Sequence, residues 1–294
     1  VYVTARSLES SGPTDPVGGT LADTCRAVEQ AGGSCIPVGV DHSDDAQVKA
    51  LFERIEQEND GRLDVLVNNV YGGVRALRES VGIPFWEAEA GLWDACTDVG
   101  LRSHYVASAQ AARLMVPRRR GLICTISSWG GLFPLFTVAY GVGKAAADRL
   151  AAEMATALRP HNVTSLCLWP GIVATEHMRQ LADQNPTSAS PDPAMQSLAR
   201  NTNWETPLLT GRVIAALAAD PHLLRRSGRV GIVAELAATY GLVDADGSRP
   251  ASLRSLRYLL PFLLPALRGR AAWIPDLRIP WWLLLLTSRT SPRF

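Results

Sequence analysis

Tyr140 and Lys144 lie four positions apart in the sequence YGVGK and carry side chains that can exchange and stabilise a proton. On a helix, this spacing makes the phenol and the ammonium project from one face. A free tyrosine has a pKa of about 10, which is poorly matched to proton transfer near neutral pH. We therefore expect the Lys144 ammonium to lower the pKa of Tyr140 by favouring the phenolate. The spacing alone is a weak signal, so the neighbouring motifs decide whether it indicates a catalytic pair.

Those surroundings hold three further polar motifs, and each follows an apolar run. Asn68 and Asn69 follow the first run, Ser127 and Ser128 end the second, and the sequence PGIVAT at 170–175 follows the third. Polar side chains that end neighbouring parallel strands gather at one edge of a sheet. The pattern therefore predicts one site containing hydroxyl, amide, phenol and ammonium groups.

Strand and helix patterns alternate along the chain as far as residue 235. Apolar runs indicate strands at 1–4, 34–40, 63–67, 121–128, 163–169 and 229–234. Helical patterns lie between them at 21–30, 46–58, 93–116, 140–158 and 211–219. Apolar strands separated by helices indicate a parallel sheet covered on both faces. The predicted fold is a doubly wound α/β domain.

Taken in this order, the motifs resemble those of the short-chain dehydrogenase/reductase family, from residue 1 to about 235. The segments at 69–73, 93–94, 99–102 and 236–247 are similar to one branch of that family, which also has a tryptophan-rich tail. The resemblance implies a Rossmann-type fold that binds a nicotinamide cofactor. It also implies two regions, the nucleotide-binding domain at 1–235 and a C-terminal apolar extension at 236–294.

The resemblance assigns roles to the chemistry-bearing side chains. Tyr140 would be the acid that protonates a carbonyl oxygen in reduction, and the base in oxidation. Ser128 would hydrogen-bond that oxygen, with Ser127 as the neighbouring alternative. Lys144 would bind the nicotinamide ribose and tune Tyr140.

Further cofactor contacts follow from the same resemblance. Thr175 and the backbone near Val173 would hold the carboxamide, Asn68 and Asn69 would close over the adenosine side, and Asp41 would contact adenine. Ordinary strand-end turns are the alternative reading for the asparagines and Asp41.

Arg6 decides the predicted cofactor. It stands near the end of a strand where an acidic residue would favour NAD(H), and a guanidinium suits a 2′-phosphate. NADP(H) is therefore favoured, and NAD(H) stays open.

Two features depart from the family pattern. Gly100 stands where the usual catalytic asparagine would align, so a side-chain amide cannot hold a relay water there. The first strand and its Gly-rich turn, which seat a pyrophosphate at a helix N-terminus, are absent from the sequence. Because that strand usually lies between the second and the fourth, we expect a split sheet and interpret the chain as a fragment of a longer product.

Composition narrows the function classes. The 29 Lys and Arg nearly cancel the 28 Asp and Glu, which argues against a nucleic-acid partner. The five cysteines lack any C-x-x-C pair, and the five histidines lack clustering, so we expect reduced thiols and no metal site. This pattern indicates an intracellular reducing compartment, in the cytoplasm or at the cytosolic face of the endoplasmic reticulum.

Two segments interrupt the alternation. Residues 176–207 are predicted to form a mobile substrate lid, with an incidental surface loop as the alternative. In the tail at 252–294, short apolar runs flanked by Trp and Arg suit a peripheral membrane contact. Packing of the tail on its own domain or on a second subunit is equally compatible. A homodimer is expected from the family resemblance alone.

The resulting functional hypothesis is an NADPH-dependent carbonyl reductase or alcohol dehydrogenase. Apolar lid residues, including Met178 and Trp204, favour a steroid-like or lipid-like carbonyl substrate. The alternative hypothesis is a catalytically weak or inactive scaffold with the same fold, attached to a membrane.

Overall fold

The computed structural model describes residues 1–8, 19–184 and 203–287. The strands of these residues are β1 (Tyr2–Ala5), β2 (Ile36–Gly39), β3 (Val65–Asn68), β4 (Gly121–Ile126), β5 (Val163–Trp169), β6 (Ile172–Val173), β7 (Trp204–Glu205) and β8 (Val230–Ile232). The α-helices are α1 (Leu21–Gln30), α2 (Asp45–Glu58), α3 (Val74–Glu79), α4 (Gly91–Thr97), α5 (Ser103–Arg118), α6 (Val138–Leu158), α7 (Glu176–Gln184), α8 (Pro207–Ala219), α9 (Val233–Thr239), α10 (Leu256–Leu263) and α11 (Trp281–Thr287).

The central sheet has the strand order β3-β4-β5-β8, and all of its pairs are parallel. Strands β1 and β2 form a separate parallel pair, and β6 and β7 form another. Within the described residues, therefore, the first two strands are not hydrogen-bonded to the central sheet. This is the division that the sequence predicts.

Helices cover both faces of the central sheet, as adjacent residues of β4 demonstrate. Ile123 packs in a core cluster with residues of α2 and α5, including Val48 and Met115. Its neighbour Leu122 packs in a second cluster with Leu209 of α8. Since successive strand residues point to opposite faces, the two clusters lie on opposite sides of the sheet. The predicted doubly wound α/β architecture is confirmed.

The helix predicted at 93–116 is interrupted at Gly100. Helix α4 ends at Thr97, a wider helical turn spans Asp98–Arg102, and α5 begins at Ser103. Gly100 has φ +146°, a conformation that side chains with a Cβ rarely adopt. The prediction of one continuous helix is therefore wrong.

The end of the last strand also differs from the sequence prediction. The last strand, predicted at 229–234, ends at Ile232, and helix α9 starts at the next residue. Val233 and Leu236 of α9 turn into the core cluster around Leu122, so burial rather than strand pairing fixes this segment.

The prediction of five reduced cysteines is wrong for one pair. Cys25 of α1 and Cys35 before β2 are joined by a disulfide. Their Cα atoms lie 5.1 Å apart, because the turn after α1 brings the chain back alongside that helix. Cys96, Cys124 and Cys167 are free and buried.

The C-terminal extension packs partly against its own domain. Leu253 is buried with Trp169 and Ile232, and Trp281 lies edge-on to Trp169 at 5.7 Å between ring centroids. Arg254 forms an ion pair of 2.7 Å with Glu235 of α9. These residues therefore follow the second prediction for the tail, in which it packs against its own domain.

Other side chains of the extension face outward, including Trp273 at 89% exposure and Trp282 at 63%. None of the helices in the described ranges combines the length and the apolar character needed to cross a bilayer. Of the predicted lid, the structure describes α7 and the residues from 203 onward. Residues 185–202 lie outside the described part of the chain.

Candidate active site at the carboxyl ends of β3, β4 and β5

A cavity of about 360 Å³ opens where β3, β4 and β5 end. Ser128, Tyr140, Lys144 and Thr175 line it, and Asn69 lies at its edge near β3. The structure thus brings together side chains from four separate motifs of the sequence. The carboxyl edge of a parallel sheet is where open α/β folds bind their ligands.

Tyr140 and Ser128 form the central hydrogen bond of this cavity. Thr137 caps α6 by accepting from the Tyr140 backbone N–H, which sets the phenol in the first turn of the helix. Ser128 begins the short helical turn after β4, and its Oγ lies 2.8 Å from the Tyr140 hydroxyl. A carbonyl oxygen beside the two hydroxyls could accept one hydrogen bond from each of them.

Burial controls the acidity of Tyr140. Desolvation raises the pKa of Tyr140 to about 12, and the Ser128 hydrogen bond only partly opposes this rise. The expectation that Lys144 lowers this pKa is therefore wrong for the structure as it stands. The Lys144 Nζ lies over the Tyr140 ring, 5.7 Å from its centroid, and donates to the Ile126 carbonyl at 3.4 Å. An ammonium held over the ring does little for the phenol oxygen, so burial dominates.

Lys144 is itself almost completely enclosed, with 9% of its surface exposed. Burial lowers the pKa of its ammonium. The ring of Tyr71 faces the same ammonium, with the Nζ 4.8 Å from the ring centroid. Lys144 is thus held between two tyrosine rings and a carbonyl.

Ser127 makes a different contact from its neighbour. Its hydroxyl donates to the Lys144 backbone carbonyl at 3.0 Å and is buried. This bond fastens the end of β4 to α6. Of the two serines that the sequence offered, Ser128 is therefore the one hydrogen-bonded to Tyr140.

Asp148 is a buried carboxyl group that sequence reasoning missed. It follows Lys144 by one turn of α6 and accepts a hydrogen bond of 3.0 Å from the Trp169 indole. Burial raises the pKa of Asp148 to about 6. The spacing of Tyr140, Lys144 and Asp148 at every fourth residue was the available signal, because it indicates one helix face.

The two asparagines have different surroundings. Asn68 is 3% exposed, and its amide donates to the hydroxyls of Ser108 and Thr125 at 2.9 and 3.4 Å. This side chain joins β3 to α5 and β4 and does not line the cavity. Asn69 is exposed and does line it.

The remaining predicted cofactor residues fall into two groups, one at the cavity and one at the β1–β2 pair. Val173 and Thr175 line the cavity. Arg6 and Asp41 follow β1 and β2, which are parallel neighbours, so they share an edge of the separate pair. Hydrogen bonds from Ser43 lower the pKa of Asp41, and the Arg6 charge adds to this effect.

The cavity walls are mostly apolar and come from the predicted lid, from the C-terminal extension and from α3, which the sequence did not identify. Val74 and Leu77 come from α3, and Met178 comes from α7. Leu253 and Tyr258 come from the C-terminal extension. The extension is thus part of the cavity wall.

Comparison with known proteins gives consistent results. Residues 14–186 match the family model described as short chain dehydrogenase. Dehydrogenase/reductase SDR family member 1 of Mus musculus is 42% identical over 288 residues, covering 97% of this chain and 88% of the relative. The Homo sapiens protein of that name has the same identity and coverage. This is the branch that the motifs at 69–73 and 236–247 resemble.

Solved structures share the fold. "ElxO with NADP Bound" superposes with a TM-score of 0.60 at 21% identity, covering 79% of this chain and 86% of that one. "Crystal Structure of NAD+-Bound Xylitol Dehydrogenase" gives 0.60 at 20% identity, covering 72% and 83%. At such identities the likeness concerns the fold, and these two neighbours carry different nicotinamide cofactors.

Proposed function

Because the chain belongs to the short-chain dehydrogenase/reductase family of oxidoreductases, we propose that it catalyses the NADPH-linked reduction of an apolar ketone or aldehyde. Tyr140 is the acid of this reaction, and the reverse reaction oxidises the corresponding alcohol. The observation that carries the proposal is the 2.8 Å contact between the Ser128 and Tyr140 hydroxyls inside the cavity.

The protonation state of Tyr140 supports the direction of reduction. With a pKa of about 12, its phenol is neutral at physiological pH and holds the proton that a carbonyl oxygen needs. Ser128 donates a second hydrogen bond to the same oxygen and stabilises the negative charge that develops on it. The two hydroxyls hydrogen-bond to each other at 2.8 Å before substrate binds, and a carbonyl oxygen beside them would replace that bond without moving either side chain far.

The described residues fit a nicotinamide cofactor. Lys144 presents a buried ammonium beside Tyr140, which suits ribose hydroxyls, while Thr175 and Val173 suit a carboxamide. Arg6 provides a guanidinium directly after β1, which suits the 2′-phosphate of NADP(H). When bound, the reduced nicotinamide supplies the hydride.

The apolar cavity supports an apolar substrate, such as a steroid-like or lipid-like carbonyl. Leu77, Phe136 and Leu253 provide hydrocarbon walls, and their burial against a ligand would favour binding by about 25 cal/mol per Å². Arg78 and His177 are among the polar side chains that line the cavity.

The test is NADPH oxidation with a panel of ketones and aldehydes that differ in apolar surface, with NADH measured in parallel. We expect turnover to rise with apolar surface and to be faster with NADPH than with NADH. Turnover confined to small polar carbonyls would reject the apolar substrate. No turnover with any carbonyl would support the alternative of a scaffold that keeps the fold without catalysis.

We also propose that the extension touches a membrane surface. Trp273 and Trp282 face outward, and tryptophan suits the interfacial region of a bilayer. Because Leu253 and Tyr258 line the cavity, deletion of residues 252–294 would damage the site as well, so point variants are the better test. We expect the double substitution of Trp273→Ser and Trp282→Ser to reduce flotation with phospholipid vesicles, whereas Trp93→Ser on α4 has no effect. Equal flotation of both variants would reject the contact.

The compartment and the oligomeric state complete the proposal. We propose a homodimer located in the cytoplasm or at the cytosolic face of the endoplasmic reticulum. The free thiols of Cys96, Cys124 and Cys167 support a reducing compartment, and the disulfide between Cys25 and Cys35 opposes it. Cell fractionation tests the location, and sedimentation tests the dimer.

A further inference from the structure

We infer that Tyr71 is a positioning residue, whose ring takes the space of the absent asparagine side chain and holds the Lys144 ammonium beside Tyr140. This inference rests on the proposed function, because it concerns the same catalytic group. It departs from the family pattern, in which position 100 would contribute an amide.

The first line of evidence is the fit between Tyr71 and Gly100. A Cβ added at Gly100 would lie 2.5 Å from Cδ2 of the Tyr71 ring and 3.0 Å from Cε2. Such distances are far below van der Waals contact, so any side chain at position 100 would displace the ring. The ring and the glycine are therefore complementary, and position 100 leaves the room that the ring fills.

The second line of evidence is the contact of the ring with the catalytic lysine. The Lys144 Nζ lies 4.8 Å from the Tyr71 ring centroid, within the range of a cation–π interaction. The same ring meets the Tyr140 ring edge-on, with a centroid separation of 6.1 Å and an interplanar angle of 90°. Tyr71 thus contacts both members of the YGVGK motif at once.

The third line of evidence is how tightly Tyr71 is held. A Cβ on Gly73 would lie 2.7 Å from the Tyr71 hydroxyl, so a glycine also makes room at that end of the side chain. Gly72 N–H donates to the Val99 carbonyl at 2.7 Å, which ties the loop of Tyr71 to the turn containing Gly100. Burial raises the pKa of Tyr71 far above its ordinary value, with Cys96 beside the hydroxyl. Tyr71 therefore presents a neutral, protonated ring to the ammonium.

The electrostatic consequence follows from the burial of Lys144. An ammonium removed from water is destabilised, and the negative face of an aromatic ring returns part of the lost stabilisation. The titratable groups around Lys144 are Tyr140 and Asp148 on α6, Tyr71 after β3, Cys96 on α4, His104 on α5 and Cys167 on β5. Among these, Tyr71 and Tyr140 place a ring against the ammonium in the described structure.

The chain offers an unusually clean test, since Lys49 and Lys144 are its two lysines. Lys49 lies on the exposed face of α2 beside Glu53, so it serves as an internal control. Protein labelled with ¹³C-lysine should give two ε-carbon signals, and their pH titration in the absence of cofactor reports both ammonium groups directly. This readout needs no turnover.

We expect Tyr71→Leu, which removes the ring but stays apolar, to lower the pKa of Lys144 by about 0.5 to 1 unit. Tyr71→Phe keeps the ring and should retain the wild-type titration of Lys144. The Lys49 signal should be the same in all three proteins. An unchanged or raised Lys144 pKa in Tyr71→Leu, with both variants folded by circular dichroism, would overturn the inference.

A kinetic readout separates this inference from the proposed function. In the proposed reaction Lys144 binds the nicotinamide ribose, so an ammonium that loses its proton at lower pH should make the KM for cofactor rise at lower pH in Tyr71→Leu and not in Tyr71→Phe. A purely structural role would lower kcat without moving the profile. If Tyr140→Phe abolishes turnover while Tyr71→Leu leaves both the Lys144 titration and the kinetic pH profile unchanged, only the inference fails. If Tyr140→Phe retains turnover, the proposed function fails.

Discussion

Tyr140 and Ser128 present two hydroxyl groups to one point of the cavity, and in the proposed reaction the protonation state of Tyr140 sets the pH dependence. Burial raises the pKa of Tyr140 to about 12, so the phenol carries its proton throughout the neutral range. Reduction needs this protonated form, whereas oxidation needs the phenolate. The two directions should therefore respond to pH in different ways.

We expect kcat/KM for alcohol oxidation to rise nearly tenfold per pH unit between about pH 7 and pH 10, because the phenolate fraction rises by that factor below the pKa. Over the same interval, kcat/KM for carbonyl reduction should stay nearly constant. Initial rates with saturating cofactor measure both profiles. An oxidation rate that levels off below pH 8 would show that Tyr140 is much more acidic than its burial implies.

The two serines provide a matched comparison at the residue scale. Ser128→Ala removes the donor at 2.8 Å from Tyr140 and should lower kcat/KM by about 10²- to 10³-fold. Ser127→Ala removes the bond to the Lys144 carbonyl and should mainly destabilise the fold, by about 1 kcal/mol. Steady-state kinetics and urea denaturation separate the effects. Equal losses of activity would refute the division of roles between the serines.

At the scale of elements, the break between α4 and α5 is the feature that shapes the site. Gly100 turns the chain there with φ +146°, and the ring of Tyr71 lies against it. The break therefore has two requirements, a backbone conformation suited to glycine and an empty volume beside the ring.

Gly100→Ala should destabilise the protein by about 1 to 3 kcal/mol, because both requirements are violated. Gly91→Ala at the start of α4 is the control, since nothing lies within 4 Å of its added Cβ. We expect that control to remain within about 0.5 kcal/mol of wild type. Chemical denaturation gives both values, and a neutral Gly100→Ala would contradict the packing described here.

Elements with strong periodicity could be predicted from the sequence. Helix α1 and strand β5 have the predicted bounds, because an amphipathic stripe and a mainly apolar segment that ends at Pro170 and Gly171 are local signals. The break at Gly100 could not be predicted, since it depends on a ring from a loop distant in sequence. The two-residue strands β6 and β7 were missed because they are too short to show a pattern.

The candidate site likewise has residues that local signals predict and residues that only tertiary contacts reveal. Tyr140, Lys144 and Ser128 could be predicted, because motif spacing places them at strand ends and on one helix face. Tyr71 and Tyr258 could not be assigned, because their relevance comes from tertiary contacts, whereas the position of Asp148 one turn after Lys144 was a local signal. The predicted lowering of the Tyr140 pKa was wrong because the sequence did not reveal how deeply its hydroxyl is buried.

For the whole molecule, the proposed chemical step and the proposed cofactor preference depend on different elements. Ser128 follows β4 of the central sheet, and Tyr140 and Lys144 lie on α6, whereas Arg6 and Asp41 follow β1 and β2 of a separate pair. Cofactor preference should therefore change without loss of the chemical step when the second group of residues is altered.

Arg6→Gln should lower the ratio of kcat/KM for NADPH to that for NADH by about tenfold or more, because a charge-assisted contact to a 2′-phosphate is lost. Arg113→Gln, at an exposed position of α5, should leave the ratio unchanged. Initial rates with each cofactor give the ratio. An unchanged ratio in Arg6→Gln would assign the preference to other residues.

We propose that Tyr140 delivers the proton during carbonyl reduction, and single-turnover oxidation of NADPH in the Tyr140→Phe variant measures this step. The matched control is Tyr105→Phe, which removes a hydroxyl from an exposed tyrosine on α5. We expect a rate lowered by about 10²- to 10⁴-fold in Tyr140→Phe and a wild-type rate in Tyr105→Phe. A Tyr140→Phe rate within about tenfold of wild type, with NADPH bound normally, would contradict it.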